Sequence, residues 1–282
     1  MIMRICYFDA FSGISGDMTV GALADAGADQ RAITRALEGL GTDATYEFAK
    51  VKRQGIGATK FRVATVETKR HRHLPAILKM IAGCEAPQRA KERAIAAFEC
   101  LGSAEALVHQ VPIDEVHFHE VGAAGSIADI VGACVALELL GIDEVVCSAL
   151  NVGSGTVETE HGVLPIPAPA TAWLLQDKPI YSRGQSVELT TPTGAALACS
   201  LAPRFGHLPA MKIVAGGYGA GDHDFPQHAN VLRVMVGELI SNCDTKDRPH
   251  IQTGPKTNDK LSSAGSRGSR PGYEIGSCQP GQ

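Results

Sequence analysis

The sequence predicts an α+β fold, a mixed α/β sheet with helices packed against it. Three observations predict it. The chain opens on an apolar strand that runs through a Gly/Ser turn into a helix. Two alternating apolar/polar stretches, Thr45–Lys52 and Thr59–Thr68, flank Gln54-Gly55-Ile56-Gly57 and read as an antiparallel hairpin. Several further stretches carry apolar residues at helical spacing. Antiparallel pairing beside helices favours α+β over a doubly wound sheet.

The 282 residues suffice for one large or two ordinary domains, and 44% hydrophobic with 20% charged residues is the balance of a globular chain with a sizeable core. A net charge of −4 and only 5% aromatic residues argue against a nucleic-acid partner. The eight cysteines are scattered and none forms a C-x-x-C pair. With no secretory signal, they are expected as reduced thiols in a cytoplasmic protein. No apolar run is long enough to span a bilayer, so no membrane is expected.

The first strand is expected over Arg4–Phe11, with Asp9 near its end. Ser12–Asp17 is the Gly/Ser turn. Ser15 suits the N-cap of the helix that follows, Asp17 its first turn, and Gly27 its end. Backbone N–H groups at such a turn can bind an anion. Ser12, Gly13, Ser15 and Gly16 are therefore candidates for a phosphate, although the turn is neither a Walker A loop nor a G-x-G-x-x-G fingerprint. Asp29–Gly39 reads as a short helix. Lys69–His73 is basic and holds His71 and His73 as an H-x-H pair. Helices are expected over Leu74–Ala82 and Pro87–Leu101.

The stretch Glu115–Gly122, EVHFHEVG, sets His117, His119 and Glu120 within four residues. In an extended chain the two histidines share a face, because strand side chains alternate. Two imidazoles beside a carboxylate can grip Ni, Zn or Cu. Ser126-x-x-Asp129 then reads as a capping box for a helix over Ile127–Leu140. Glu144–Ala149 reads as a strand, Asn151–Gly162 as a polar, glycine-rich segment, and Ala170–Leu175 as a short helix. Thr190–Gly194, TTPTG, enters a helix over Ala195–Leu201. It is a second donor-rich turn at a helix start, with Thr191, Thr193 and Gly194 as candidate anion binders. The end of Lys212–Gly221, GGYGAG, reads as a loop over a ligand. Asn230–Gly237 reads as the last strand. Residues 239–282 are rich in Gly, Ser, Pro and charge, and read as a disordered tail.

Four segments, Tyr7–Met18, Val116–Gly132, Asn151–Thr171 and Glu188–Ala196, resemble the LarC nickel insertion family, also known as DUF111. His71–Leu74 and Gly217–Glu238 agree with it, and the resemblance covers roughly residues 3–238. The resemblance implies a metal chelatase of the lyase class that inserts nickel into pyridinium-3,5-bisthiocarboxylic acid mononucleotide. The product is the nickel-pincer cofactor, received by lactate racemase-type apoenzymes. CTP, with Mg or Mn, is consumed. The resemblance makes His71, His73, His117, His119 and Glu120 the candidate nickel ligands. Asp9, Asp17 and Glu120 are the carboxylates expected to take a proton from the pyridinium carbon.

Two departures stand out. The family pattern leads to an acidic residue where this chain has Gly125. The family also continues into a further domain, expected to hold the CTP site, where this chain has its low-complexity tail. The tail reads as an out-of-frame or truncated end, with a separately encoded C-terminal domain as one partner and a homo-oligomer as the expected assembly. The alternative activity is a non-catalytic nickel-binding or delivery protein. A zinc hydrolase is disfavoured, because no H-E-x-x-H is present.

Overall fold

A computed structural model of the chain describes residues 2–65, 72–118 and 124–240. The low-complexity tail beyond Ile240 lies outside the described residues. The chain begins with β1 (Arg4–Asp9), whose Ile5, Cys6, Tyr7 and Phe8 are buried. α1 (Gly16–Asp25) follows, and Ser15 caps it by accepting the Met18 N–H at 3.4 Å. α2 (Gln30–Glu38) is capped by Asp29, which accepts from the Arg31 N–H at 2.8 Å. β2 (Ala44–Arg53) and β3 (Ile56–Thr65) form the expected hairpin. Its turn is tighter than expected, because Gln54 and Gly55 both take positive φ and close it in two residues.

Next come β4 (Arg72–His73), α3 (Leu74–Gly83), α4 (Gln88–His109), β5 (His117–Phe118) and α5 (Ala124–Leu139). β6 (Glu144–Cys147), β7 (Leu150–Asn151), β8 (Thr156–Thr159), β9 (Gly162–Pro165) and α6 (Pro169–Leu174) follow. The described chain closes with β10 (Ile180–Tyr181), α7 (Pro192–Leu201), β11 (Arg204–Phe205), β12 (Met211–Ala220) and β13 (Val231–Leu239).

Seven strands form one mixed sheet in the order β11-β6-β1-β13-β12-β3-β2. β1 is parallel to β6 and antiparallel to β13, with Asp9 opposite Arg233. One face carries the helices. α1 lies over β3, β12 and β13, α5 packs on α1, and α4 packs on α5, α6 and α7. Phe8, Val234, Phe61, Leu23, Ile127, Ile130, Phe98 and Leu197 belong to the continuous core between these layers. Both ends of α1 are pinned by charge. Asp17 near its start pairs with Lys60, and Asp25 at its end pairs with Lys50 and accepts the Tyr218 N–H at 2.9 Å.

Four local expectations are corrected. The GGYGAG stretch is strand β12, not a loop. Glycine is needed there because α1 lies directly on the strand: a Cβ on Gly219 would sit 1.8 Å from the Met18 carbonyl oxygen, and one on Gly217 2.3 Å from that of Ala22. α4 runs on past Leu101 to His109, since Gly102 sits where the helix meets Leu74 and Phe118. α5 is described from Ala124, so Ser126 lies inside the helix rather than at its cap. The polar segment from Asn151 contains a hairpin, β8 paired with β9.

Candidate functional site

The two H-x-H motifs meet. β4 and β5 pair antiparallel, with Arg72 opposite Phe118 and His73 opposite His117. Residues directly opposite in such a pair have Cα atoms about 4.5–5.5 Å apart. His71, His119 and Glu120 lie outside the described residues, and for His117 the structure gives the backbone position alone. The pair is anchored on α4. The buried Phe118 ring meets Phe98 edge to face, with centroids 6.4 Å apart. Leu74, which opens α3 directly after His73, is buried against Gly102 of the same helix.

The two donor-rich turns also meet. Ile14 and Thr190 are bridged, the Ile14 N–H donates to the Leu189 carbonyl at 3.0 Å, and the Thr191 N–H donates to that of Ile14 at 3.1 Å. Thr191 caps α7 by accepting the Gly194 N–H at 3.1 Å. The Gly13 N–H is held by the Ala10 carbonyl at 2.9 Å. These donors serve the fold itself. Ser12 is fully buried, with its hydroxyl 2.7 Å from His228 Nε2. Thr193 is buried within α7.

Beside the joined turns lies a cleft of ≈ 660 Å³. Ser15, Asp17 and Thr191 line it, together with Glu158 of β8 and Asp222 and His223 of the segment joining β12 to β13. Lys60, on β3, is the cation behind it. Its buried ammonium pairs with Asp17 and, at 2.7 Å, with Asp222. Desolvation opposes the charge on Lys60, yet Asp17 and then Asp222 outweigh it and raise the pKa. Desolvation likewise works against the Asp222 carboxylate, but Lys60 holds its pKa below the usual value. Asp129 on α5 completes the group. Burial of its carboxyl, then the negative charge of Asp17, push its pKa well above the carboxylate range, although Lys60 and the Asp17 N–H oppose this. Gly16 allows the contact, because a Cβ there would lie 2.5 Å from that of Asp129. One buried ammonium thus lies among three carboxyl groups, and the pKa of Asp129 is pushed up by burial and by the charge of Asp17.

Sequence reasoning missed Lys60 and Asp129. The one available signal was their position: a lysine inside the buried run Ala58–Phe61, and an aspartate amid the apolar residues of α5. Asp9 does not line the cleft. It shares a sheet face with Tyr7 by strand alternation, opposite the helices, and accepts from Arg233 Nε at 2.9 Å. Gly125 lies in the first turn of α5, and a Cβ there would meet nothing within 4 Å among the described residues. Among the described residues no three His, Cys, Asp or Glu side chains stand ready-made as a metal-holding group. No described helix is long and apolar enough to cross a membrane, and the six described cysteines are free thiols.

The nickel insertion protein family matches residues 6–262. The pyridinium-3,5-bisthiocarboxylic acid mononucleotide nickel insertion protein of Geobacillus kaustophilus is 45% identical over 84% of this chain and 60% of its own length. The protein of the same description from Desulfitobacterium hafniense is 46% identical over 89% of this chain and 62% of its own. A putative nickel insertion protein of Geotalea uraniireducens is 48% identical over 84% of this chain and 61% of its own. The chain therefore spans about three-fifths of the length of the curated relatives it matches. No solved structure matches it. On the extent of the family match and the identity to these relatives, this chain belongs to the nickel insertion protein family.

Proposed function

We propose that this chain handles nickel for insertion into pyridinium-3,5-bisthiocarboxylic acid mononucleotide, the compound in the names of two relatives. The observation that carries the proposal is the register of β4 on β5, which sets His73 opposite His117 and joins two H-x-H motifs from distant parts of the chain. Imidazole suits Ni(II). In this reading His71, His73, His117, His119 and Glu120 supply the nickel ligands. Insertion forms one carbon–nickel and two sulfur–nickel bonds. The ring carbon gives up one proton as the metal takes its place, and a carboxylate accepts it. Asp17 is the acceptor favoured here, since it lines the cleft and the neighbouring Lys60 keeps it hydrogen-bonded. Asp9 is the weaker choice, tied as it is to Arg233. The joined turns carrying Ser12, Gly13, Ser15, Gly16, Thr191, Thr193 and Gly194 form the wall against which the mononucleotide rests. The proposal assigns CTP, with Mg or Mn, to a site outside the described residues. It assigns the product to a lactate racemase-type apoenzyme.

A second reading is delivery without catalysis, in which the histidines of the β4–β5 bridge bind nickel that is passed on. One experiment separates them. The chain is incubated with Ni(II), the mononucleotide, CTP and Mg, alone and with the remaining segment of the Geobacillus relative added in trans. Nickelated nucleotide is followed by mass spectrometry. Conversion by the chain alone supports insertion, and conversion only with the added segment supports delivery. Absence of conversion in both mixtures, with no nickel retained on the chain, refutes both readings.

A further inference from the structure

The segment joining β12 to β13 carries an aromatic shelf. Its His223 and Phe225 both line the cleft. The Phe225 ring is buried, and the exposed His223 ring lies along it, with centroids 5.6 Å apart and planes 17° from parallel. Near-parallel rings at this spacing are an attractive stack. From another side His228 meets Phe225, with centroids 6.0 Å apart.

The shelf is tied down along its length. Gln54 Nε2, in the turn between β2 and β3, donates to the Phe225 carbonyl at 2.7 Å, and Arg53 Nη2 donates to that of Gly221 at 2.8 Å. The Asn230 side-chain amide donates to the His223 carbonyl at 2.9 Å. His228 Nε2 lies 2.7 Å from the buried Ser12 hydroxyl. These tethers hold the backbone on either side of the two rings. The pair therefore meets a ligand already ordered, which lowers the entropy cost of binding.

We propose that His223 and Phe225 are the stacking platform of the cleft, and that its ligand is a planar cationic heteroaromatic ring. The shelf sets the shape of that ligand, because a flat ring extends the stack on the exposed side of His223. The lining sets the charge. Asp17, Glu158, Glu188 and Asp222 are among the residues that line the cleft, and no lysine or arginine is. Lys60, behind them, is already paired with Asp17 and Asp222. A cationic ring gains from the aromatic faces and from the carboxylates together. A phosphate gains from neither, so a nucleotide enters ring first, with its anionic groups away from the carboxylates. A volume of ≈ 660 Å³ suits a ligand of that size. The choice of a pyridinium ring rests on the proposed function, since the nucleotide in the names of two relatives carries one. The platform itself rests on the stack, its tethers and the lining.

The test uses the whole chain, without nickel or CTP. Nicotinamide mononucleotide is the probe, because its ring is a pyridinium. Its reduced form carries the same ribose and phosphate on an uncharged dihydropyridine ring. Isothermal titration calorimetry compares the two forms on the native chain, on His223→Ala and on Phe225→Leu, with circular dichroism to check folding. The native chain is expected to bind the oxidised form about tenfold tighter than the reduced one. His223→Ala, at an exposed position, should weaken the oxidised form about tenfold and the reduced form less. Phe225→Leu should act in the same sense. Equal affinity for the two forms, unchanged affinity in a folded His223→Ala variant, or no binding of the oxidised form to the native chain would overturn the platform. Nickelation is not read in this test, so the platform and the nickel ligands fail separately.

Discussion

At the start of α1 a buried lysine is gripped by two carboxylates, and a third carboxyl accepts from the Asp17 N–H. At the β4–β5 bridge, two residues on each side make the ladder among the described residues. The first region is bound into the packing of sheet and helices. Its polar groups hold one another, and removing any one leaves a partner desolvated. The second is a short ladder whose anchors are its apolar residues, Phe118 and Leu74. In the proposed function its histidines are the residues that take the metal. In that reading the first region joins packing to the proton acceptor Asp17, whereas the nickel ligands sit where apolar residues do the packing, and substitution should separate the two roles.

The largest effect is expected at Lys60. Lys60→Ala strands Asp17 and Asp222 without their cation, and breaking the buried Lys60–Asp17 pair costs about 3–5 kcal/mol. Urea unfolding measures this, and a cost under about 1 kcal/mol would mean that the cluster is effectively solvated. Gly219→Ala comes next. Its Cβ would collide with the Met18 carbonyl, so α1 must shift, at about 3 kcal/mol.

Asp129→Asn acts with the opposite sign. Between the ordinary carboxylate pKa and its raised value, the folded state keeps a proton that the unfolded state has lost. Native stability therefore falls as pH rises through that window. The amide removes this dependence. The variant should gain about 1 kcal/mol at neutral pH and lose the advantage below about pH 4. A thermal midpoint series against pH reads it directly. Gly125→Asp is the smallest change. The open space and the first-turn position predict a gain of about 0.5–1 kcal/mol from helix propensity and dipole.

Local chemistry made much of the fold readable. Ser15 and Asp29 announce helix starts, because a cap needs only its next three residues. The two-histidine motifs are equally visible. Their pairing is not, since register between strands so far apart is set by the packing of Phe118 and Leu74 on α4 rather than by neighbours in sequence. GGYGAG was misread for a related reason. Glycine locally signals a turn, but here it makes room for α1 over β12. Lys60 and Asp129 stayed hidden because their meaning lies in partners on other elements. A charged residue in an apolar run is legible only as an anomaly until the partner is known.

The central claim is that the β4–β5 histidines bind nickel without supporting the fold. Ni(II) titration of the His73→Ala, His117→Ala double variant, alongside its thermal unfolding, tests it most directly. The account predicts loss of one nickel equivalent, with stability within about 0.5 kcal/mol of native. Unchanged nickel stoichiometry and affinity in a folded double variant would contradict it.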